Sequence, residues 1–259
     1  MSSKENAKDS PRELYLDLLI KVLTNMIYGD PSTNPENTGP FQAELRAEGR
    51  DWPALAHTMV GVRRLENVRE LVQRVIDEGI AGDFVEAGVW RGGVCILMRG
   101  VLAANAIKDR KVYAIDSFAG LPPPRPEKFP HDEGLDLTIY PELAVSLEQV
   151  KHNFARYGFL DEQVIFVKGL FQHTLPTLDA GPFALIRLDG DLYESTYVAL
   201  EALYPKLSPG GFIILDDVNF IPACRQAVMD YRSRMGITAV LHDVDWCAGW
   251  WQKPLAPAE

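Results

Sequence analysis

Four aspartates stand in two tight clusters, Asp189-Gly190-Asp191 and Asp216-Asp217, and each cluster follows a short apolar run. The runs, Phe183-Ala184-Leu185-Ile186-Arg187-Leu188 and Gly211-Phe212-Ile213-Ile214-Leu215, have the length and composition of buried strands. If those strands are parallel neighbours, with the helical stretch between them as crossover, both clusters fall at carboxyl ends, where open α/β sheets bind ligands. Carboxylates converging there repel one another unless some are protonated or a hard cation sits among them. Oxygen-only ligands suit magnesium, calcium or manganese, so residue type and spacing together point to a metal site.

A second constellation lies upstream. The stretch Glu86-Ala87-Gly88-Val89-Trp90-Arg91-Gly92-Gly93 runs out of a strand at residues 84–87, and Asp116 ends the next strand thirty positions after Glu86. Glycines after the first strand let the backbone approach a ligand, and an acid at the end of the second grips ribose hydroxyls. The nicotinamide fingerprint G-x-G-x-x-G is not met, because Trp90 stands where its middle glycine belongs, and no Tyr-x-x-x-Lys pair is present. Glu86 disfavours phosphates but suits the amino group of an amino-acid cofactor. S-adenosylmethionine matches that description. By themselves Gly88, Gly92 and Gly93 are equally a tight strand-to-helix turn, and Asp116 at its expected place tips the balance toward a cofactor.

The elements that must position these residues follow from periodicity. Residues 11–27 read as an amphipathic helix with Leu14, Leu18, Leu19, Val22, Leu23 and Met26 on one stripe. Residues 29–40, with Pro31, Pro35 and Pro40, read as an irregular, mobile loop. A helix over 61–78 places Val62, Leu65, Val68, Val72 and Val75 together. Strand and helix then alternate: strand 84–87, helix 93–106, strand 112–115, helix 145–157, strand 164–167, the two aspartate-bearing strands, helix 222–235, and closing strands 239–242 and 249–252. That alternation implies a parallel sheet with right-handed crossovers. The proline-rich stretch 120–141 is long enough to be a lid over the carboxyl edge. The simplest division is an N-terminal helical extension, 1–60, serving as lid or oligomer contact, and one α/β domain, 61–259.

With 47% hydrophobic residues in 259, the chain can bury a large core, and a formal charge of -10 argues against nucleic-acid binding. Cys95, Cys224 and Cys247 are scattered, so neither a disulfide framework nor a zinc site is implied, and buried, reduced thiols are expected. No apolar signal core and no run of 18 apolar residues occurs, which makes the cytoplasm the default and a membrane partner unexpected.

The segments Ala56-His57-Thr58-Met59, Glu86 to Gly93, Asp116-Ser117-Phe118, Leu188-Asp189-Gly190-Asp191, Gly210-Gly211-Phe212 and Asp216-Asp217 resemble the macrocin O-methyltransferase family over about residues 14–251. Its members methylate deoxysugar hydroxyls on macrolide and aminocoumarin antibiotics. The resemblance implies a class I methyltransferase Rossmann-like fold, a seven-stranded mostly parallel sheet with helices on both faces. It also implies S-adenosylmethionine as donor, a magnesium ion, a small glycosylated natural product as acceptor, and homodimers or homotetramers. Carried over by motif, Asp189, Asp216 and Asp217 look like metal ligands and Asp191 like the general base. Glu86 and Gly88 fall at the methionine end of the cofactor, Asp116 on its ribose, Ser117 with Gly169-Leu170-Phe171 near its adenine, and Met59 where the family closes over it. Departures at Val218-Asn219-Phe220 and in the aromatic stretch Trp246 to Trp251 leave the acceptor open.

A sugar hydroxyl holds its proton tightly, so methyl transfer to it benefits from a Lewis acid and a nearby base, the role expected of Asp191. The bland alternative makes Asp191 an orienting residue or a further ligand. Catechol-type methyltransferases share the metal logic but carry a lysine base where this chain has Leu192. A metal-dependent glycosyltransferase also uses Asp-x-Asp, though it leaves Asp216-Asp217 and the Glu86 turn unexplained, and a non-enzymatic adenosine module leaves all four aspartates unexplained. Of five histidines only His131, in the lid, is a candidate substrate contact, together with Tyr193. Trp250 and Trp251 are expected to seal the sheet or a subunit contact.

Overall fold

A computed structural model describes residues 10–255. Seven strands form one sheet in the order β3-β2-β1-β4-β5-β7-β6. They are β1 (Asp83–Ala87), β2 (Val112–Asp116), β3 (Val164–Lys168), β4 (Phe183–Leu188), β5 (Leu207–Leu215), β6 (His242–Asp243) and β7 (Gly249–Gln252). The pairs β1/β2, β2/β3, β1/β4 and β4/β5 are parallel, while β7 runs antiparallel to both β5 and β6. The chain winds outward from β1 to β3, then returns to lay β4 on the other side of β1. Strand order therefore reverses between β1 and β4, and such a reversal opens a crevice at the carboxyl ends.

Helices cover both faces. On one side α1 (Pro11–Leu23), α3 (Val62–Asp77), α4 (Gly93–Ala104) and α5 (Leu147–Arg156) pack over the sheet, and on the other α7 (Tyr193–Leu203) and α8 (Pro222–Arg234) do so, with the single-turn α6 (Phe171–Thr174) following β3. Helix α3 buries Leu65, Val68, Leu71, Val72 and Val75, the stripe that its 3.6-residue spacing dictates. Helix α4 is buried nearly all round, as a helix lying between the sheet and α1 must be. All three cysteines are free and buried, and Trp251 is wholly enclosed in the core. None of the described helices is long and apolar enough to cross a membrane.

Several expectations need correction. Helix α1 starts where Ser10 accepts the Glu13 N–H and Pro11 occupies its first turn, but it stops at Leu23 rather than 27, because Asn25 turns left-handed (φ 51°). Its buried residues are Leu16, Leu19, Ile20 and Leu23, whereas Leu14 and Leu18 are 55% and 53% exposed. This helix carries apolar side chains on most of its surface, so spacing alone could not choose the face. The loop at 29–40 is irregular but pinned: Ser32 bridges to Gly39 and Pro53, and Asp30 is buried against Arg46 of the short helix α2 (Ala43–Glu48). The strand expected over 239–242 is only His242–Asp243. The polar stretch before residue 10 lies outside the described residues.

Candidate functional site

Of the residues singled out by sequence, Met59, Glu86, Gly88, Asp116, Ser117, Phe171, Asp189, Asp191, Asp216 and Asp217 all line one cleft at the carboxyl edge of the sheet. Gly169 does not line it. It lies just behind, with φ 148° and its N–H donating to the Asp116 carbonyl at 2.9 Å.

The floor of the cleft is the β1/β4 switch point. Gly88 has φ 90°, and a Cβ there would stand 1.8 Å from the Asp189 carbonyl oxygen, so a glycine is required for the two strand ends to meet. Asp116 anchors the turn that follows: one carboxylate oxygen accepts the Val89 N–H at 2.8 Å and the other the Phe118 N–H at 2.8 Å. Burial raises its proton affinity, and these backbone donors oppose the rise. Trp90, Phe118 and Asp191, after β1, β2 and β4, all adopt left-handed backbone conformations unusual outside glycine. Such strain gathered round one cleft is a mark of a functional site.

Glu86 is fully buried, accepting from Arg187 Nη1 at 2.5 Å and from the Cys95 thiol at 2.9 Å. Burial pushes its carboxyl up to about 7 against the pull of Arg187. Arg187, itself 1% exposed, is the hub: its guanidinium also reaches Asp189 Oδ2 at 2.9 Å and Asp216 Oδ1 at 2.5 Å. Arg64 of α3 holds the other Asp216 oxygen at 2.7 Å. Burial alone would raise Asp216, yet the two arginines keep it below the ordinary carboxylate value.

The remaining aspartates are crowded. Asp189, Asp191 and Asp217 each offer an oxygen within 4.8 Å of the others. Burial, then repulsion from Asp216, lifts Asp189 to about 6, and burial with the charge of Asp189 lifts Asp191 to about 8. Asp217 is pushed well up by burial and Asp191, and its buried Oδ2 has no hydrogen-bond partner among the described residues. Sequence motif grouped Asp216 with Asp189 and Asp217, while the geometry brings Asp191 into that trio and holds Asp216 between two arginines. Cys247 adds a thiol beside Asp216 and Asp217, and burial together with those carboxylates keeps it protonated.

The mouth of the cleft is apolar. Phe220 meets Trp246 edge-on with centroids 4.9 Å apart, and Leu121, Pro122 and Leu137 come from the 120–141 stretch. His131 and Tyr193 do not line the cleft. They stack on each other at 5.1 Å, and the Tyr193 hydroxyl donates to Asp230 at 3.0 Å. Arg64 and Arg187 are site residues that pattern reading passed over, whereas Trp246 stood out only as part of the aromatic stretch 246–251. Arg187 gave a signal, since a cation inside an apolar strand run needs buried partners. Arg64 gave none, because its partner Asp216 lies 152 positions away.

A family model described as macrocin-O-methyltransferase (TylF) matches residues 12–253. Demethyldecarbamoylnovobiocin O-methyltransferase of Streptomyces niveus is 47% identical over 257 residues, 97% of each chain. A tetracenomycin-C rhamnosyl 4'-O-methyltransferase of Streptomyces olivaceus is 50% identical over 252 residues, 96% of each. Mycinamicin III 3''-O-methyltransferase of Micromonospora griseorubida is 44% identical, covering 93% of this chain and 96% of its own. Among solved structures, the O-methyltransferase NovP superposes with a TM-score of 0.90 at 47% identity, over 94% of this chain and 99% of that one. The calicheamicin methyltransferase CalS11, at 22% identity and a TM-score of 0.59, shares the fold.

Proposed function

Because the chain belongs to the macrocin-O-methyltransferase family, we propose that it transfers a methyl group from S-adenosylmethionine to a deoxysugar hydroxyl on a glycosylated natural product, with magnesium or manganese among its aspartates. Membership removes the glycosyltransferase and adenosine-module readings. The observation that carries the proposal is that the glycine turn after β1 and four aspartates after β4 and β5 share one cleft.

The donor set suits a hard cation. Its atoms are carboxylate oxygens, and the unpartnered Asp217 Oδ2 together with the raised proton affinities of Asp189 and Asp217 marks a deficit of positive charge. Asp189 and Asp217 would hold the ion, with Asp216 as third ligand. The convergence of Asp191 with that pair favours a second arrangement in which Asp191 ligates instead. When bound, the cofactor supplies a sulfonium methyl and the cation lowers the proton affinity of an acceptor hydroxyl.

The chain's own groups do the rest. Gly88 lets the cofactor's methionine end approach the backbone near Glu86, while Asp116, Ser117 and Phe171 border its nucleoside and Met59 covers it. Arg187 fixes the Asp189 and Asp216 carboxylates. The acceptor hydroxyl gives its proton to the Asp191 carboxylate as its oxygen takes the methyl. Phe220 and Trp246 offer the sugar or aglycone an apolar wall, and the 120–141 stretch keeps water out. A phenolic diol is the alternative acceptor. We further propose an extension at 1–60 on a 61–259 catalytic domain, a cytoplasmic location, and a homodimer or homotetramer in which the exposed Leu14, Leu18 and Val22 face a second copy.

Calorimetry with S-adenosylmethionine and S-adenosylhomocysteine, with and without magnesium, beside NADH and nucleotide-sugars, tests the reading. Selective binding of the two sulfur compounds supports it, and metal-dependent nucleotide-sugar binding in their place overturns it. Methyl transfer to the demethyl acceptors of the three relatives then narrows the substrate. Asp191→Asn should abolish transfer and preserve metal and cofactor binding. If metal binding is lost as well, Asp191 is a ligand.

A further inference from the structure

We propose that Asp132 is a positioning residue for Asp191: it caps α7 from outside the helix and so fixes one end of the loop that carries the base. This rests on the methyltransfer reading above. The first amides of a helix have no partner within it and need an acceptor from elsewhere. The residue preceding α7 is Leu192, whose side chain cannot accept a hydrogen bond. Asp132, with no exposed surface, fills the role from 61 positions upstream: its Oδ1 accepts the Tyr193 N–H at 2.6 Å and its Oδ2 the Glu194 N–H at 3.1 Å.

The loop between β4 and α7 is correspondingly short. Its upstream end is tied where the Asp189 N–H donates to the Ala87 carbonyl at 2.9 Å, and its downstream end is tied by Asp132 at Tyr193. Only residues 190–192 lie between. Within them Asp191 takes φ 57° and the Leu192 N–H closes back on the Gly190 carbonyl at 2.6 Å. A strained residue keeps such a conformation only when its surroundings over-determine it, and here the cap is one of two fixed ends.

Asp132 does not act from a free loop. Arg125 pairs with Glu194, His131 stacks on Tyr193, and the Pro130–Asp132 turn packs against both α7 and α8. The same stretch gives Leu121, Pro122 and Leu137 to the cleft wall. The cover of the cleft and the placement of the base are thereby one mechanical unit.

The test uses the full chain and its variants Asp132→Ala, Asp132→Asn and Arg125→Ala. Without ligand, amide exchange at Tyr193 and Glu194 should quicken about 5- to 10-fold in Asp132→Ala, the size expected for a lost cap. Exchange at the carboxyl end of α7 should be unchanged. Asn retains one carbonyl acceptor but faces the second amide with a donor, so Asp132→Asn should recover protection at one of the two amides and not at both. On an acceptor found by the panel above, kcat should fall about 10-fold or more in Asp132→Ala, with S-adenosylhomocysteine affinity within about twofold of the parent and partial rescue by Asp132→Asn. Arg125→Ala keeps the cap and should leave exchange at 193 and 194 near that of the parent. Unchanged exchange in Asp132→Ala, or a kcat no better in Asp132→Asn than in Asp132→Ala, overturns the proposal. If the parent chain binds no S-adenosylhomocysteine, the methyltransfer reading fails by itself, and the ligand-free exchange still decides the cap.

Discussion

Among the described residues, two clusters of charge gathered round buried arginines are built differently. In the first, Arg46 is 1% exposed and every arm of its guanidinium is engaged. Its Nε meets the Asp51 carboxylate at 2.8 Å, its Nη1 meets Asp30 Oδ1 and the Thr24 carbonyl at 2.8 Å each, and its Nη2 meets the Asp30 carbonyl at 2.9 Å. The second Asp30 oxygen accepts the Leu55 N–H at 2.6 Å. In the cleft, Arg64 and Arg187 face Glu86, Asp189, Asp191, Asp216, Asp217 and Asp245. There Asp217 Oδ2 lacks a hydrogen-bond partner among the described residues, while Asp245, just outside the cleft, pairs with Arg64 Nε at 3.1 Å. Burial is common to both, so burial is not what marks a site. The closed cluster leaves nothing for a ligand to satisfy, and the open one has a surplus of acid that a cation would complete.

The contrast can be broken most severely at Arg46. Arg46→Met should leave Asp30 and Asp51 buried without a counter-charge and cost about 3–5 kcal/mol in denaturant unfolding, and magnesium should not restore it. The cleft should answer in the opposite way. Magnesium at a hundred times its Kd should raise the parent chain's stability by about 2.7 kcal/mol, and this gain should vanish in Asp217→Asn. Without magnesium that same variant should differ from the parent by under about 1 kcal/mol, because burial and Asp191 push the Asp217 carboxyl well up, so the neutral amide replaces a group whose charge is already disfavoured. A large loss in Asp217→Asn without metal would mean the two clusters are alike.

The smallest effect concerns His57, whose ring nitrogen meets the Tyr157 hydroxyl at 2.6 Å. Burial, then the charges of Arg156 and Arg91, depress it from 6.5 to about 4. The unfolded chain binds a proton near 6.5 that the folded chain refuses until about 4, so this contribution is present above 6.5 and is lost as pH falls toward 4. His57→Gln should therefore flatten the decline in urea midpoint between pH 7 and pH 5, while leaving the magnesium response intact.

The α/β core was legible because its strands are bounded apolar runs and α3 has a clean stripe. Helix α1 was not, since Leu14, Leu18 and Val22 repeat at helical spacing as well as Leu16, Ile20 and Leu23 do, and it takes contact with α4 and α3 to select between them. Short elements such as α2 carry too few turns to show a period. The aspartates were legible as a group because they follow strand ends. How they are shared was not, because Arg64 arrives from a distant helix and Asp191 is turned by a backbone conformation that no residue type at that position announces.

The antiparallel strand β7 has a consequence for the order of assembly. Among the described residues β6 pairs with β7 alone, and β7 reaches the sheet through β5. Although β6 precedes β7 along the chain, it has no place to dock until β7 has been made and has inserted. The connection between them carries Trp246 and Cys247, one wall of the cleft. The parallel strands can pair in chain order, while β6 waits for β7. A chain cut short before Gly249 would keep all four aspartates, but β6 would have no strand to pair with, and the Trp246 segment would be held only by its upstream contacts, such as the indole bond to the Glu48 carbonyl.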